Sequence, residues 1–146
     1  MSVNLQGDCF LDTNILVYAY DRSAGDKHIL AAKLVEGCWE NENGCLSIQV
    51  LQEFFVNITR KIPTPLDHQT ARQIVADLAH WRLQSPGASD LLQAIDLQQS
   101  YRLSFWDAMV VQGATILGCK QLLSEDLNNG QVCGKVQIIN PFRGID

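Results

Sequence analysis

The chain predicts an α/β sandwich built on a mainly parallel sheet of about five strands, folded as one domain over residues 1–146. Two observations carry that expectation. Short runs of strand character alternate with longer stretches of helical apolar spacing, and Pro and Gly fall at element ends, not in one hinge. Size is a third: 146 residues, 47% of them hydrophobic and 18% charged, suffice to bury one core without disulfide or metal staples.

In chain order, residues 9–12 (CFLD) read as a strand, followed closely by an apolar helix over 15–20 and a break at 21–25. A helix over about 27–39 leads to a turn at Asn43 and Gly44 and a second strand over 45–48. Val50, Leu51, Phe54, Phe55, Ile58 and Ile62 then recur at helical spacing until Ile62-Pro63-Thr64-Pro65 ends that helix. Two further helices are expected over about 67–80 and 89–101, separated by Pro86 and Gly87, with a short strand around 81–84. Residues 104–118 form a helix that is apolar nearly all round, the mark of a buried element, and strands over 121–124 and 136–139 complete the sheet.

Several classes are disfavoured by what the chain lacks. No apolar run approaches the roughly 18 to 20 residues that span a bilayer, and MSVNLQGD has neither the basic start nor the apolar stretch of a signal peptide, so a cytoplasmic protein is expected. The five cysteines, Cys9, Cys38, Cys45, Cys119 and Cys133, are scattered and form no C-x-x-C pair, which fits small buried residues in a reducing compartment. His28, His68 and His80 fall on expected helices away from the strand ends, so Ser-His and Cys-His nucleophilic catalysis lacks support, and no G-x-x-x-x-G-K-[ST] phosphate loop occurs.

The acids carry the chemistry. In an open parallel sheet, ligands bind beyond the carboxyl ends of the strands, and four acids fall there from distant parts of the chain. Asp12 closes the first strand, Glu53 sits early in the helix after the second, Asp107 opens the all-apolar helix, and Asp126 follows the strand over 121–124. Each has an ordinary structural explanation. Asp12 in Leu11-Asp12-Thr13-Asn14 can cap the next helix. Glu53 lies opposite the stripe of Leu51, Phe54, Phe55, Ile58 and Ile62, where a glutamate normally meets water. Asp107 lies three residues after Ser104, the spacing of a capping box. Asp126 lies in the turn-forming run Ser124-Glu125-Asp126-Leu127-Asn128-Asn129-Gly130. The joint occurrence of all four is what points to metal chemistry.

The segments LDTNILVYAYD, QEFFVNITRK, SFWDAMVVQGA and LLSEDLNNGQ, in that order, resemble the four successive acidic motifs of the PIN-domain nucleases. Within them the chain most closely resembles the compact bacterial group that supplies VapC-like toxins of type II toxin–antitoxin modules. The resemblance covers nearly the whole chain. It implies that Asp12, Glu53, Asp107 and Asp126 are the four acids in turn, with Asn14 and Ser124 as supporting polar residues. Glu125 and Asp126 are adjacent, and only the S-x-D pattern favours Asp126. The resemblance further implies a three-layer α/β/α fold, a homodimer, a small antitoxin whose tail covers the site, and RNA products with a 5′-phosphate and a 3′-hydroxyl.

The expected activity is therefore a Mg²⁺-dependent or Mn²⁺-dependent endoribonuclease, since hard oxygen donors suit those ions. Asp12 and Asp107 are expected to hold the principal ion, with Glu53 and Asp126 completing the cluster. A formal net charge of -5 opposes nucleic-acid binding at first sight, yet two bound divalent ions would bring the sum to about -1, because bound ions belong to the local field. Arg60 and Lys61 can contact substrate phosphates or complement the end of their own helix. Phe54, Phe55 and Trp106 are expected in the core by their spacing, although aromatics also stack on bases. Three rivals share parts of this pattern: a PIN-like RNA-processing nuclease without an antitoxin, an aspartate phosphotransfer protein, and a non-catalytic binding module.

Overall fold

A computed structural model describes residues 7–145. The elements run β1 (Cys9–Leu11), α1 (Thr13–Tyr20), α2 (Asp26–Asn41), β2 (Gly44–Ser47), α3 (Ile48–Val56), α4 (His68–Leu78), β3 (Arg82–Gln84), α5 (Ala88–Tyr101), α6 (Phe105–Ile116), β4 (Gln121–Leu123), β5 (Val132–Cys133) and β6 (Val136–Ile139). The expected break over 21–25 is a 3₁₀ turn at Arg22–Ala24, capped by Asp21, whose Oδ1 accepts from the Ser23 amide at 3.0 Å.

Among the described residues six strands form one sheet in the order β3-β2-β1-β4-β6-β5. The five expected strands are all present and mutually parallel, while β5 is a two-residue edge strand that pairs antiparallel with β6. The chain moves outward from β1 through β2 to β3 and then returns to place β4 on the other side of β1. The junction of β1 and β4 is thus the switch point of the topology, where the loops leaving the two strands diverge and open a crevice.

Strand residues point into apolar layers on both faces, as parallel strands require. Phe10, Leu11, Leu46, Leu122, Leu123 and Ile138 are fully buried. On one face α6 lies across β2, β1, β4 and β6, with α5 packed on it; α1, α2 and α3 pack together, with α2 and α3 against β2. This is the three-layer α/β/α arrangement. The all-round apolar character of α6 has its explanation here, because Ala108 through Ala114 are all buried between the sheet and α5. The close approach needs Gly113: a Cβ there would sit 3.2 Å from the Phe10 ring.

The five cysteines are free and buried. Among the described residues no helix is long and apolar enough to cross a membrane.

Candidate active site

The first acid owes its position to a strand end. Asp12 follows β1 directly, and its backbone amide donates to Leu123 O at 2.9 Å, which keeps it in register with the end of β4. Its side chain does cap α1, since Oδ1 accepts from the Thr13 amide at 2.8 Å. Oδ2 accepts from the Ser124 hydroxyl at 2.7 Å. Capping and a place in the site are therefore not alternatives for this residue. The residue is only 7% exposed. Burial pushes its pKa up to about 6, the Ser124 and Thr13 hydrogen bonds oppose that rise, and the charges of Asp126 and Glu53 add to it.

Ser124 and Asn14 tie the two loops together. Besides donating to Asp12, the buried Ser124 hydroxyl accepts from the Asp126 amide at 3.2 Å. Asn14 accepts the Glu125 amide on Oδ1 at 3.1 Å and donates from Nδ2 to Asp126 Oδ2 at 3.1 Å. The adjacent acids consequently part. Asp126 is turned into the crevice, whereas Glu125 faces away and binds the Tyr18 hydroxyl at 2.8 Å and Lys27 Nζ at 2.6 Å. Lys27 also lies over the rings of Tyr18 and Phe142, so the Glu125 carboxylate is anchored by charge and packing together.

Glu53 stands on the face of α3 away from the apolar stripe, as its periodicity requires, and that face borders the crevice. Its Oε1 accepts from the Thr13 hydroxyl at 2.7 Å. Gln49, Glu53, Asn57 and Lys61 follow at four-residue intervals, and all four line the same pocket. A π turn over Asn57–Lys61, closed by the Ile62 amide on Asn57 O at 3.1 Å, ends this stripe. Lys61 reaches the pocket; Arg60, on the next position round the turn, does not line it.

Asp107 enters from the start of α6. Ser104 caps that helix by accepting the Asp107 amide at 3.1 Å. Among the described residues no hydrogen-bond donor reaches the Asp107 carboxylate, so the expected capping box is only half made and the side chain stays available.

Asp12, Glu53, Asp107 and Asp126 thus line one pocket of about 420 Å³ at the switch point, with Asn14, Lys61 and Trp106 on its walls. None of the three histidines lines it: His28 Nδ1 lies 2.9 Å from Tyr18 O and the ring of His68 packs edge-on against Phe55. Trp106 departs from expectation. Its spacing in an apolar helix suggests core, yet it is 62% exposed, while Phe54 is fully buried and Phe55 half-buried, as expected.

Among the described residues no three His, Cys, Asp or Glu side chains converge closely enough to hold one ion unaided. The donor set nevertheless fits a Mg²⁺-type ion. Such ions take one or two carboxylates directly and keep several waters, and every acidic donor here is a hard oxygen. The mutual repulsion that adds to the raised pKa of Asp12 is the kind a cation would relieve.

The family model of the PIN domain matches residues 9–135. No curated protein sequence matches the chain. Among solved structures, the fold is similar to a toxin–antitoxin complex from Klebsiella pneumoniae, at 17% identity and a TM-score of 0.67, over 92% of this chain and 98% of that one. It is similar to the sarcin–ricin-loop-cleaving toxin VapC20 of Mycobacterium tuberculosis, at 18% identity and a TM-score of 0.58, over 79% and 87% of the two chains. A third likeness is to VapBC2 of Rickettsia felis bound to a promoter DNA fragment, at 15% identity and a TM-score of 0.62, over 89% and 96%. At these identities the likeness is one of fold.

Proposed function

Because the chain belongs to the PIN domain family, we propose that it is a divalent-metal-dependent endoribonuclease and the toxin of a type II toxin–antitoxin module. One observation carries the reading: four carboxylates from four separate segments, with no histidine among them, line a single pocket at the switch point of a parallel sheet. The toxin assignment is supported by the fold likeness to a toxin–antitoxin complex that extends over 92% of this chain.

In this reading Asp12 and Asp107 would hold a Mg²⁺ or Mn²⁺ ion, with Glu53 and Asp126 completing the set. The ion supplies charge to offset the phosphoryl oxygens and lowers the pKa of water. The rest is the work of the chain's own side chains. Ser124 donates to Asp12 and favours its ionised form, the form able to bind a cation. Asn14 fixes the direction of the Asp126 carboxylate. Lys61, on the same stripe as Glu53, offers a cation to a substrate phosphate, which lets a chain of net charge -5 accept RNA locally.

The proposal extends to partners. A small antitoxin would cover the pocket, and a second copy of the chain would form a homodimer in the cytoplasm. Exposed apolar side chains on α5, Leu91, Leu92 and Ile95, supply surface for such contacts.

The test is cleavage of a mixed RNA pool in Mg²⁺ by the wild type, Asp12→Asn and Asp107→Asn. Cleavage by the wild type alone, abolished by chelation, is expected. Equal cutting by all three would overturn the assignment.

A further inference from the structure

We propose that Trp106 is a stacking platform for an unpaired base of the RNA substrate, beside the phosphodiester addressed by the carboxylates; this rests on the nuclease reading above. Trp106 is the second residue of α6, and seven consecutive residues after Asp107 are buried. Against that background an indole that is 62% exposed is anomalous, because a tryptophan carries a large apolar surface that folding normally hides. It is not at a random place on the surface. Trp106 lines the carboxylate pocket next to Asp107, and the pocket is otherwise walled mainly by polar side chains.

Two contacts position this residue. Phe105 meets it edge-on, with centroids 5.0 Å apart and planes at 76°. Its backbone oxygen accepts from Gln49 Nε2 at 3.4 Å, which links the start of α6 to the polar stripe of α3. The helix that carries it is buried between the sheet and α5 from Ala108 through Ala114, so Trp106 stands at the start of an anchored element. An exposed aromatic ring beside the pocket is what an unstacked base requires, and stacking tolerates any base because every base has a π face.

The chemistry around the ring favours a nucleotide over an apolar peptide. An apolar segment laid over this pocket would bury carboxylates and amides without partners, whereas a nucleotide brings a phosphate for Lys61 and for the cation the acids would hold, as well as a base for the indole. A base can reach the ring only when it is free of a duplex, so the substrate segment at the site is single-stranded.

Loss of base–aromatic stacking by alanine substitution corresponds to roughly a 5- to 150-fold loss in binding. The test is steady-state cleavage of a single-stranded RNA pool in Mg²⁺ by the wild type, Trp106→Ala and Trp106→Phe. The expected result is a rise in KM on that scale for Trp106→Ala, with the loss falling on KM rather than kcat, and recovery of most of it by Trp106→Phe, which restores a ring. In parallel, adding the same RNA pool to the Asp12→Asn protein quenches tryptophan emission, and the quench is lost in Asp12→Asn/Trp106→Phe although Trp39 and Trp81 remain. An unchanged KM in Trp106→Ala, no rescue by phenylalanine, or an equal quench without Trp106 would overturn the platform while leaving the nuclease reading intact. Absence of any Mg²⁺-dependent cleavage by the wild type would overturn both.

Discussion

Replacing Ser124 with alanine removes one oxygen from a fully buried position between two acids. That oxygen donates to Asp12 Oδ2 at 2.7 Å and accepts from the Asp126 amide at 3.2 Å. A hydrogen bond to an ionised group in such a place contributes about 1.5–3 kcal/mol, and alanine leaves both partners without a replacement. For a chain of this size each kcal/mol moves Tm by roughly 2–4 °C, so a fall of about 3–12 °C is expected in thermal denaturation without metal. Supporting partners of metal ligands typically govern affinity or activity by about 10- to 100-fold, and RNA cleavage should fall on that scale, with more Mg²⁺ needed for half-maximal rate. A Tm within a degree of the wild type, or a lowered Tm with an unaltered Mg²⁺ dependence, would refute the claim that Ser124 organises Asp12 for a cation.

Asp126→Asn should lower cleavage by about 10- to 100-fold, whereas Glu125→Gln, which disturbs only the mostly buried contacts with Tyr18 and Lys27, should keep cleavage within about threefold while lowering stability by about 1.5–3 kcal/mol. Initial rates on the RNA pool and a denaturation curve separate the two; the reverse order would exchange their roles. Gly44→Ala should destabilise by about 1–3 kcal/mol, because a Cβ at this position of β2 would overlap the Trp81 ring, and the shift is read as a lower denaturation midpoint with the active pocket untouched.

Most of the fold is legible in the sequence because alternation and helical spacing are strong signals over long elements, and the bounds of α2 and α5 lie within a few residues of expectation. The two-residue β5 is too short to impose a pattern. The π turn at Asn57–Lys61 is hidden because Ile58 and Ile62 keep a spacing that a continuous helix would also give. Within the site, Asp12 and Asp107 are visible as acids at strand and helix ends. Glu53 is named by its place after β2 and by the resemblance but not by its periodicity, because amphipathicity sorts residues into buried and unburied faces without saying whether the unburied face meets bulk water or a crevice. The four-residue rhythm of Gln49, Glu53, Asn57 and Lys61 is the signal that distinguishes them, for it marks a continuous polar stripe along one wall. The S-x-D pattern favours Asp126 over Glu125, but what turns Glu125 away, Lys27 and Tyr18 arriving from α2 and α1, is not legible in the sequence. Trp106 misleads for a related reason: its helix is apolar on every side, but burial begins only at Ala108, after the first turn.

The central claim is that the acids act as one unit around a shared cation. Its most direct test compares Mg²⁺-dependent RNA cleavage by Asp12→Asn, Asp107→Asn and the double variant. Residues that work as a unit are strongly non-additive, so each single change should lower the rate by at least about 100-fold and the double variant should be no worse than the poorer single. Losses that multiply in the double variant, or a single variant that cleaves like the wild type, would contradict a common site.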